Sequence, residues 1–241
     1  MKIKFLTDQK YLIYLSVFIL SHNLILASSV LATYQIEQRS DSFYSISNFE
    51  KLKDDGTEVL IESFGSITLP PEMEIQSGNY KNLNDKLKKI MGIESNSVVF
   101  QQNGLNEFNN DGFNTYARIM IKTDISPPET YPYINNLNIS KKELKDIEKE
   151  IKQGIINSLS TMNMIITDWY PIQIGSIGNY AAIIIKYDRQ LNNNPEVEVE
   201  QYMIFNNDRM HLLIFSNRIE DGYVWKPVFD KVKTSIDIVE R

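Results

Sequence analysis

The sequence has 241 residues, with 25 basic and 31 acidic side chains, a formal net charge of −6, two histidines and no cysteine. The lack of cysteine excludes disulfides and a Cys-His catalytic pair, and two histidines are too few for a multi-histidine metal site. A net acidic chain also argues against nucleic acid and against electrostatic binding to anionic lipid, because both need a basic surface.

The first 32 residues predict export. Three lysines within the first ten residues precede an apolar run at 11–27, and Val30 and Ala32 stand at the −3 and −1 positions of a cut before Thr33. This pattern is typical of a secretory signal peptide. We expect removal of residues 1–32 and a periplasmic or secreted protein of formal charge −8, with no membrane span. An uncleaved anchor is the alternative, although the run is short for a span.

The first half of the remaining chain predicts strands and one short helix. Residues 33–56 are polar and are interpreted as a lead-in, followed by a single domain at 57–241. β-prone segments occur at 59–61, 66–69, 97–102 and 115–125. Residues 82–91 have apolar side chains on one helical face and lysines on the other, so we expect a helix there.

The clearest helix of the chain begins after Ser140. Ser140 is a natural N-cap, and Glu143 three residues later completes a capping box. Apolar residues then recur at helical spacing through Met162, opposite a face of Lys and Glu. This pattern predicts one amphipathic helix of about twenty residues lying on a sheet.

The chain after this helix is dominated by β-prone segments. We expect strands at 164–170, 172–177, 180–188, 197–205 and 210–216, with residues 206–209 as a hairpin connection. Ala181–Ile185 is apolar on both faces, so its strand should be central and covered on both sides. A last helix is expected at 224–238, with Pro227 in its first turn. This order predicts an α+β fold, an antiparallel sheet with helices packed on its faces.

Three segments carry a resemblance to a known family. They are the opening strand GSITLPP from Gly65, the hairpin VEVEQYMIFNNDRMHLLIFS from Val197, and the closing helix WKPVFDKVKTSI from Trp225. Together they resemble the PsbP-like fold, shared by many exported bacterial proteins. The resemblance implies an αβα sandwich over roughly residues 57–238 and an accessory or interaction role. It implies no catalytic residue and no cofactor.

Catalytic signatures are missing from the sequence. It contains no Gly-x-Ser-x-Gly, phosphate-loop or dinucleotide motif. His211, the one histidine after signal removal, is interpreted as a satisfied, partly exposed strand residue rather than a general base. We therefore expect a protein that is not an enzyme, with no catalytic residue, metal or cofactor.

Glu196, Glu198 and Glu200 alternate with two valines, which predicts three carboxylates on one strand face. The functional interpretation is a cation site or a docking surface for a basic partner. The plainer interpretation is a solvated strand face whose valines point into the core. The residue types favour this one, because hard cations need ligands that converge from several loops.

Trp169 and Tyr170 are the other candidate binding residues. If they surface together, they form a patch of rigid contact area for a partner; otherwise they pack in the core or at a sheet edge.

The sequence thus favours an exported, non-enzymatic accessory protein that binds another envelope or secreted protein. A small-molecule or lipid-binding module is the alternative, with a pocket lined by methionines, namely Met120, Met162, Met164 and Met203. A glycosidase using two facing carboxylates is a third possibility, for which no pair stands out.

Overall fold

The structure, a computed structural model, describes residues 56–90 and 97–240, and ten strands and four α-helices lie in this part of the chain. The strands are β1 (Thr57–Ile61), β2 (Gly65–Leu69), β3 (Met73–Ile75), β4 (Val98–Gln102), β5 (Ala117–Ile125), β6 (Met164–Ile177), β7 (Tyr180–Leu191), β8 (Val197–Asn206), β9 (Arg209–Arg218) and β10 (Asp237–Ile238). The helices are α1 (Gly78–Ile90), α2 (Asn110–Phe113), α3 (Lys141–Ser160) and α4 (Gly222–Thr234), the last preceded by a 3₁₀ turn at Ile219–Asp221.

Two antiparallel sheets organise these elements. The larger sheet has seven strands in the order β3-β4-β5-β9-β8-β7-β6, and the smaller has the order β1-β2-β10. The predicted hairpin at 206–209 joins β8 to β9, and Asn207 has φ of 60° at its turn, a conformation that asparagine tolerates. The α+β class with an antiparallel sheet predicted from the sequence is confirmed.

The seven-stranded sheet is covered on both faces, because alternate residues of its strands point to opposite cores. On β8, Val199 and Met203 pack in the core beneath α3, whereas Tyr202 and Ile204 belong to a second core beneath α4 and β2. β7, which holds the apolar run Ala181–Ile185, contributes to both cores, and it lies one strand from the sheet edge.

Helix α3 begins as the sequence predicts. The Ser140 hydroxyl accepts a hydrogen bond from the Glu143 amide (3.3 Å), and the Glu143 carboxylate accepts one from the Ser140 amide (2.8 Å). The apolar stripe of α3 then packs on the sheet through Ile147, Ile151, Ile155 and Leu159. The predicted capping box and amphipathic helix are both confirmed.

The end of the chain differs from the prediction of a helix at 224–238. Helix α4 begins at Gly222, which moves Pro227 beyond the first turn, and it ends at Thr234. Asp237 and Ile238 instead form β10, paired with Ser66 and Gly65 of β2. Gly65 has φ of +144°, and a Cβ there would lie 2.0 Å from the Asp237 carbonyl oxygen. The sequence predicted a longer helix because Ile236 and Ile238 face the same core as the apolar side of α4 and so extend its apolar pattern.

The two strands predicted at 164–170 and 172–177 form one long strand, β6, at the edge of the larger sheet. Its pairing with β7 shifts register between Ile166 and Asp168 and again between Tyr170 and Gln173. Pro171 lies in the second shift, where a residue without an N–H breaks no regular ladder.

The expected signal peptide at 1–32 and all but Gly56 of the lead-in at 33–56 lie outside the described residues. In the part of the chain that the structure describes, no helix combines the length and apolar character needed to cross a membrane.

The capping box makes a prediction for stability. Ser140→Ala should lower the free energy of unfolding by about 1 kcal/mol, because it leaves the Glu143 amide without its side-chain acceptor. Ser140→Asp, which keeps an acceptor oxygen, should stay close to wild type. Urea denaturation followed by circular dichroism measures both, and equal losses in the two variants would contradict the capping role.

Candidate functional site

A cleft of ≈ 220 Å³ opens between α4 and strands β7, β8 and β9, on the face opposite α3. Its walls combine three lysines with three carboxylates over two phenylalanines, and the lining residues are Lys186, Glu198, Glu200, Phe215, Asn217, Lys226, Phe229, Asp230 and Lys233. The cleft contains two of the three glutamates that the sequence singled out.

Glu200 is the carboxylate of the cleft whose negative charge is most fully neutralised by neighbouring lysines. Its side chain is 13% exposed, and it forms ion pairs with Lys186 and with Lys233 (2.5 Å). Burial alone would raise the pKa of Glu200, but the two lysines outweigh it and hold this pKa below its usual value. Lys233 also lies 5.5 Å from the Tyr202 ring centroid. Glu200 therefore joins α4 to the sheet.

The neighbouring carboxylates are arranged differently. Asp168 of β6 pairs with Asp188 of β7, and Asp188 pairs with Glu198 of β8, so three acids stand directly opposite one another across three strands. We call these three residues the acidic row. The ammonium of Lys226, a side chain 57% exposed, lies 3.0 Å from Glu198.

Asp188 is the most confined member of the acidic row, at 5% exposed. Its Oδ2 accepts a hydrogen bond from the Tyr170 hydroxyl (2.9 Å), whereas its Oδ1 has no partner among the described residues. Burial raises the pKa of Asp188, and the negative charges of Glu198, Asp168 and Glu196 raise it further, although the Tyr170 hydrogen bond acts in the opposite direction. The row thus concentrates negative charge that the protein itself neutralises only in part.

The three predicted glutamates have three environments. Val197 and Val199 point into the core, as the plainer interpretation predicts, and Glu198 and Glu200 share the opposite face. That face is partly covered by α4 rather than fully solvated. Glu196 precedes β8, and its carbonyl oxygen accepts a hydrogen bond from the Ile219 amide (3.0 Å). Within residues 56–90 and 97–240, no group of three or more acids and histidines is arranged to hold a metal ion.

Trp169 and Tyr170 lie on opposite faces of β6, because neighbouring residues of a strand alternate. Trp169 is half-buried against the α3 core, where it stacks on Tyr187 and donates a hydrogen bond to Glu148 (2.9 Å). Tyr170 is exposed and contacts the acidic row through Asp188. The structure therefore does not bring the two aromatic residues together, and only Tyr170 stands at the candidate site.

His211 is fully buried, so the expectation of a partly exposed residue is wrong. It faces the α4 core, with its ring edge-on to Phe64 (5.2 Å between centroids) and its Nδ1 2.9 Å from the Thr123 hydroxyl. Burial lowers the pKa of His211 to about 3, with a further contribution from Arg209. A histidine that stays neutral and has no route to substrate agrees with the interpretation that it is not a general base.

The methionines proposed to line a ligand pocket are all buried in the core between α3 and the sheet. They are Met120, Met162, Met164 and Met203. There they fill the space between apolar neighbours.

Asp168 and Asp188 were missed by the sequence reasoning. Each is a lone acid in a β-prone segment, and only the register of β6, β7 and β8 places them beside Glu198. A partial signal exists, because Asp168 and Asp188 each stand beside an aromatic residue of their strand, Trp169 and Tyr187.

No family model and no curated protein matches the sequence. Among solved structures, the chain is similar to cyanobacterial PsbP (CyanoP) from Synechocystis, with 9% identity and a TM-score of 0.46 over 80% of this chain and 99% of that one. It is also similar to a crystal structure from Bacteroides thetaiotaomicron, with 10% identity and a TM-score of 0.44 over 78% of this chain. This chain spans 50% of the length of that protein.

The contrast between Glu200 and Glu198 predicts unequal costs of neutralisation. Glu200→Gln should lower the free energy of unfolding by about 2–3 kcal/mol at pH 7, because the largely buried Lys233 loses its closer counter-charge and keeps the exposed and more distant Asp230 (3.6 Å). Glu198→Gln should cost less than about 1 kcal/mol, because its partner Lys226 is exposed.

Urea denaturation across pH checks this ordering. Since the pKa of Glu200 is lowered in the folded state, its contribution is present above the unfolded pKa of about 4.3 and is lost as the pH falls through the folded pKa. The difference between wild type and Glu200→Gln should therefore shrink in acid. Equal losses for the two variants at pH 7 would contradict the assignment.

His211 predicts a second pH dependence. Between about pH 6.5 and 3, this side chain is protonated in the unfolded chain and neutral in the folded protein. The free energy of unfolding therefore falls by up to about 1.4 kcal/mol for each unit by which the pH is lowered. His211→Gln, which keeps a polar partner for Thr123, should fall less steeply than wild type between pH 7 and pH 4.5. Parallel pH profiles would show that His211 is protonated in the folded protein.

Proposed function

We propose that this chain is an exported, non-enzymatic accessory domain that binds another envelope or secreted protein, and that the acidic row receives a basic segment of that partner. The single observation that supports this docking site is the alignment of Asp168, Asp188 and Glu198 across three neighbouring strands. The pattern of residues 1–32 supports export.

The acidic row is unfavourable for the protein on its own. Like charges directly opposite each other on paired strands repel, and strands spaced 4.7–4.9 Å apart put the three acids within about 10 Å. Lys226 offsets only Glu198, from an exposed position. A row that costs stability, in which the Asp188 Oδ1 has no hydrogen-bond partner among the described residues, is typical of a surface that serves binding.

Lysine or arginine side chains of a protein partner fit this surface. The carboxylates of Asp168, which is exposed, and of Glu198, whose side chain is 32% exposed, can accept hydrogen bonds from an ammonium or guanidinium group, and the opposite charges strengthen these bonds. Tyr170 adds rigid aromatic contact area beside the row. Gln173 is exposed further along the same edge strand, and its pairing with Ile184 places it on the same face as the row.

Site-specific crosslinking in the cells that make the protein tests this proposal. A photoreactive amino acid at position 173, exposed on the edge strand and on the face of the row, should capture one abundant envelope or secreted protein, whereas the same group at the exposed position 60 of β1 should not. Asp168→Asn and Asp188→Asn should each reduce this crosslink several-fold, and Glu150→Gln on the exposed face of α3 serves as the matched control. Peptide mapping of the same samples should find a mature chain starting near Thr33.

The isolated variants supply a second, independent readout. Asp188→Asn keeps an acceptor for Tyr170 and removes the repulsion, so its free energy of unfolding should equal or exceed that of wild type while crosslinking falls. A crosslink at position 173 that survives both aspartate substitutions, or no crosslink above that at position 60, would overturn the proposal.

A further inference from the structure

Two arginines are buried on the opposite face of the same sheet. Arg118 of β5 and Arg189 of β7 are each 1% exposed, and they are among the largest fully buried side chains of the described residues. They belong to the face covered by α3, not to the face with the cleft, because strand alternation separates Arg189 from its neighbour Asp188. They therefore lie apart from the acidic row.

Neither guanidinium group has a carboxylate partner in the described part of the chain. The Nε and Nη1 of Arg118 and the Nε of Arg189 have no hydrogen-bond partner there. The remaining contacts of Arg189 are weak, since its Nη1 reaches the Met164 sulfur (3.3 Å) and its Nη2 reaches the Tyr116 hydroxyl (3.5 Å). Two buried cations with unused donors are costly unless an anion compensates them.

Both arginines converge on one hydroxyl-bearing corner. The Arg118 Cζ lies 5.6 Å from the ring centroid of Tyr116, the same ring whose hydroxyl Arg189 contacts. The Tyr116 hydroxyl lies 3.2 Å from the Ser216 hydroxyl. The corner thus combines two planar guanidinium forks with two hydroxyl groups, a donor set suited to an oxyanion.

The electrostatics of this corner favour negative charge. An arginine cannot relieve its burial by losing a proton, so both groups remain cationic. Burial alone would raise the pKa of the Tyr116 phenol, but the charges of Arg118 and Arg189 outweigh it and lower this pKa. The lowered pKa of Tyr116 thus agrees with a positive electrostatic potential at this corner.

We propose that Arg118 and Arg189, with the hydroxyls of Tyr116 and Ser216, form a buried binding site for one small oxyanion of the phosphate, sulfate or carboxylate class. The bound anion supplies the counter-charge that the described residues lack. Arg189 stands two residues from the end of β7 and Tyr116 immediately precedes β5, so the site lies near one end of the sheet.

Anion binding to the full chain is the direct test. Protein prepared in chloride alone is titrated with sodium phosphate, sulfate or acetate at constant ionic strength, while side-chain Nε–H resonances of arginine are followed by NMR. Phosphate or sulfate should shift two buried arginine signals saturably, at one anion per chain. A response to acetate with none to phosphate would assign the site to a carboxylate ligand.

Variants connect the response to the site. Arg118→Met and Arg189→Met keep an apolar stem of similar length and remove the charge, so each should fold without added anion. In each, the dissociation constant for the anion should rise by at least about tenfold. Lys145→Met on the exposed face of α3 removes one charge elsewhere and should leave the dissociation constant unchanged. Melting temperatures of the wild type and the three variants in the same salts identify general stabilisation by salt, which would act equally on all four.

Two results would overturn the proposal. In the first, phosphate, sulfate and acetate cause no change in the chemical shifts of the wild-type arginine signals relative to chloride alone. In the second, the wild type shows the ultraviolet band of a phenolate at neutral pH, and Arg189→Met loses it. Tyr116 itself would then be the counter-charge, and no external anion would be needed.

Discussion

The alternation of side chains along a sheet that is covered on both faces governs the rest of this structure. The side chains of β5, β7, β8 and β9 point alternately to the core beneath α3 and to the face that holds α4. The dipeptide Asp188-Arg189 shows the consequence. Its two charges are adjacent in sequence but point to opposite faces, so they cannot neutralise each other. Each charge then needs a partner from elsewhere on its own face.

The two faces meet this need differently. On the α4 face, Glu200 obtains Lys186 and Lys233 and becomes a bridge between helix and sheet. In the described part of the chain, the acidic row on that face has one ion pair, between Glu198 and the exposed Lys226. On the α3 face, Arg189 contacts a hydroxyl group and a sulfur atom and Arg118 lies near the Tyr116 ring, and neither arginine has a carboxylate partner among the described residues. Charge that is left incompletely matched is where a sheet of this kind can recognise other molecules.

Local patterns in the sequence were enough to predict the elements that depend on nearby residues. The capping box at Ser140 and Glu143 and the hairpin at Asn207 each involve a few consecutive residues, and both are confirmed. The end of α4 was misplaced because Ile236 and Ile238 keep facing the same core after the helix has stopped. Apolar spacing records which face a residue occupies, and it does not record the backbone conformation that puts it there.

The candidate sites were harder to predict, because both depend on strand register and on what covers each face. Glu198 was identified from its alternation with valines, but Asp168 and Asp188 join it only through pairings with two other strands. Arg118 lies between Ala117 and Ile119 in the segment predicted as a strand at 115–125. Its burial follows from its position on the same face as Tyr116 and Met120, which belong to the core that contains the apolar side of α3.

Strand β10 has a consequence for how the chain acquires its structure. Residues 237 and 238 complete the small sheet by pairing with β2, and the Ser235 hydroxyl accepts a hydrogen bond from the Thr68 amide, 167 residues away. Contacts between such distant residues form late, because the entropy cost of closing a long loop precedes any stabilisation from the contacts. The core beneath α4 therefore stays open until the far end of the chain arrives.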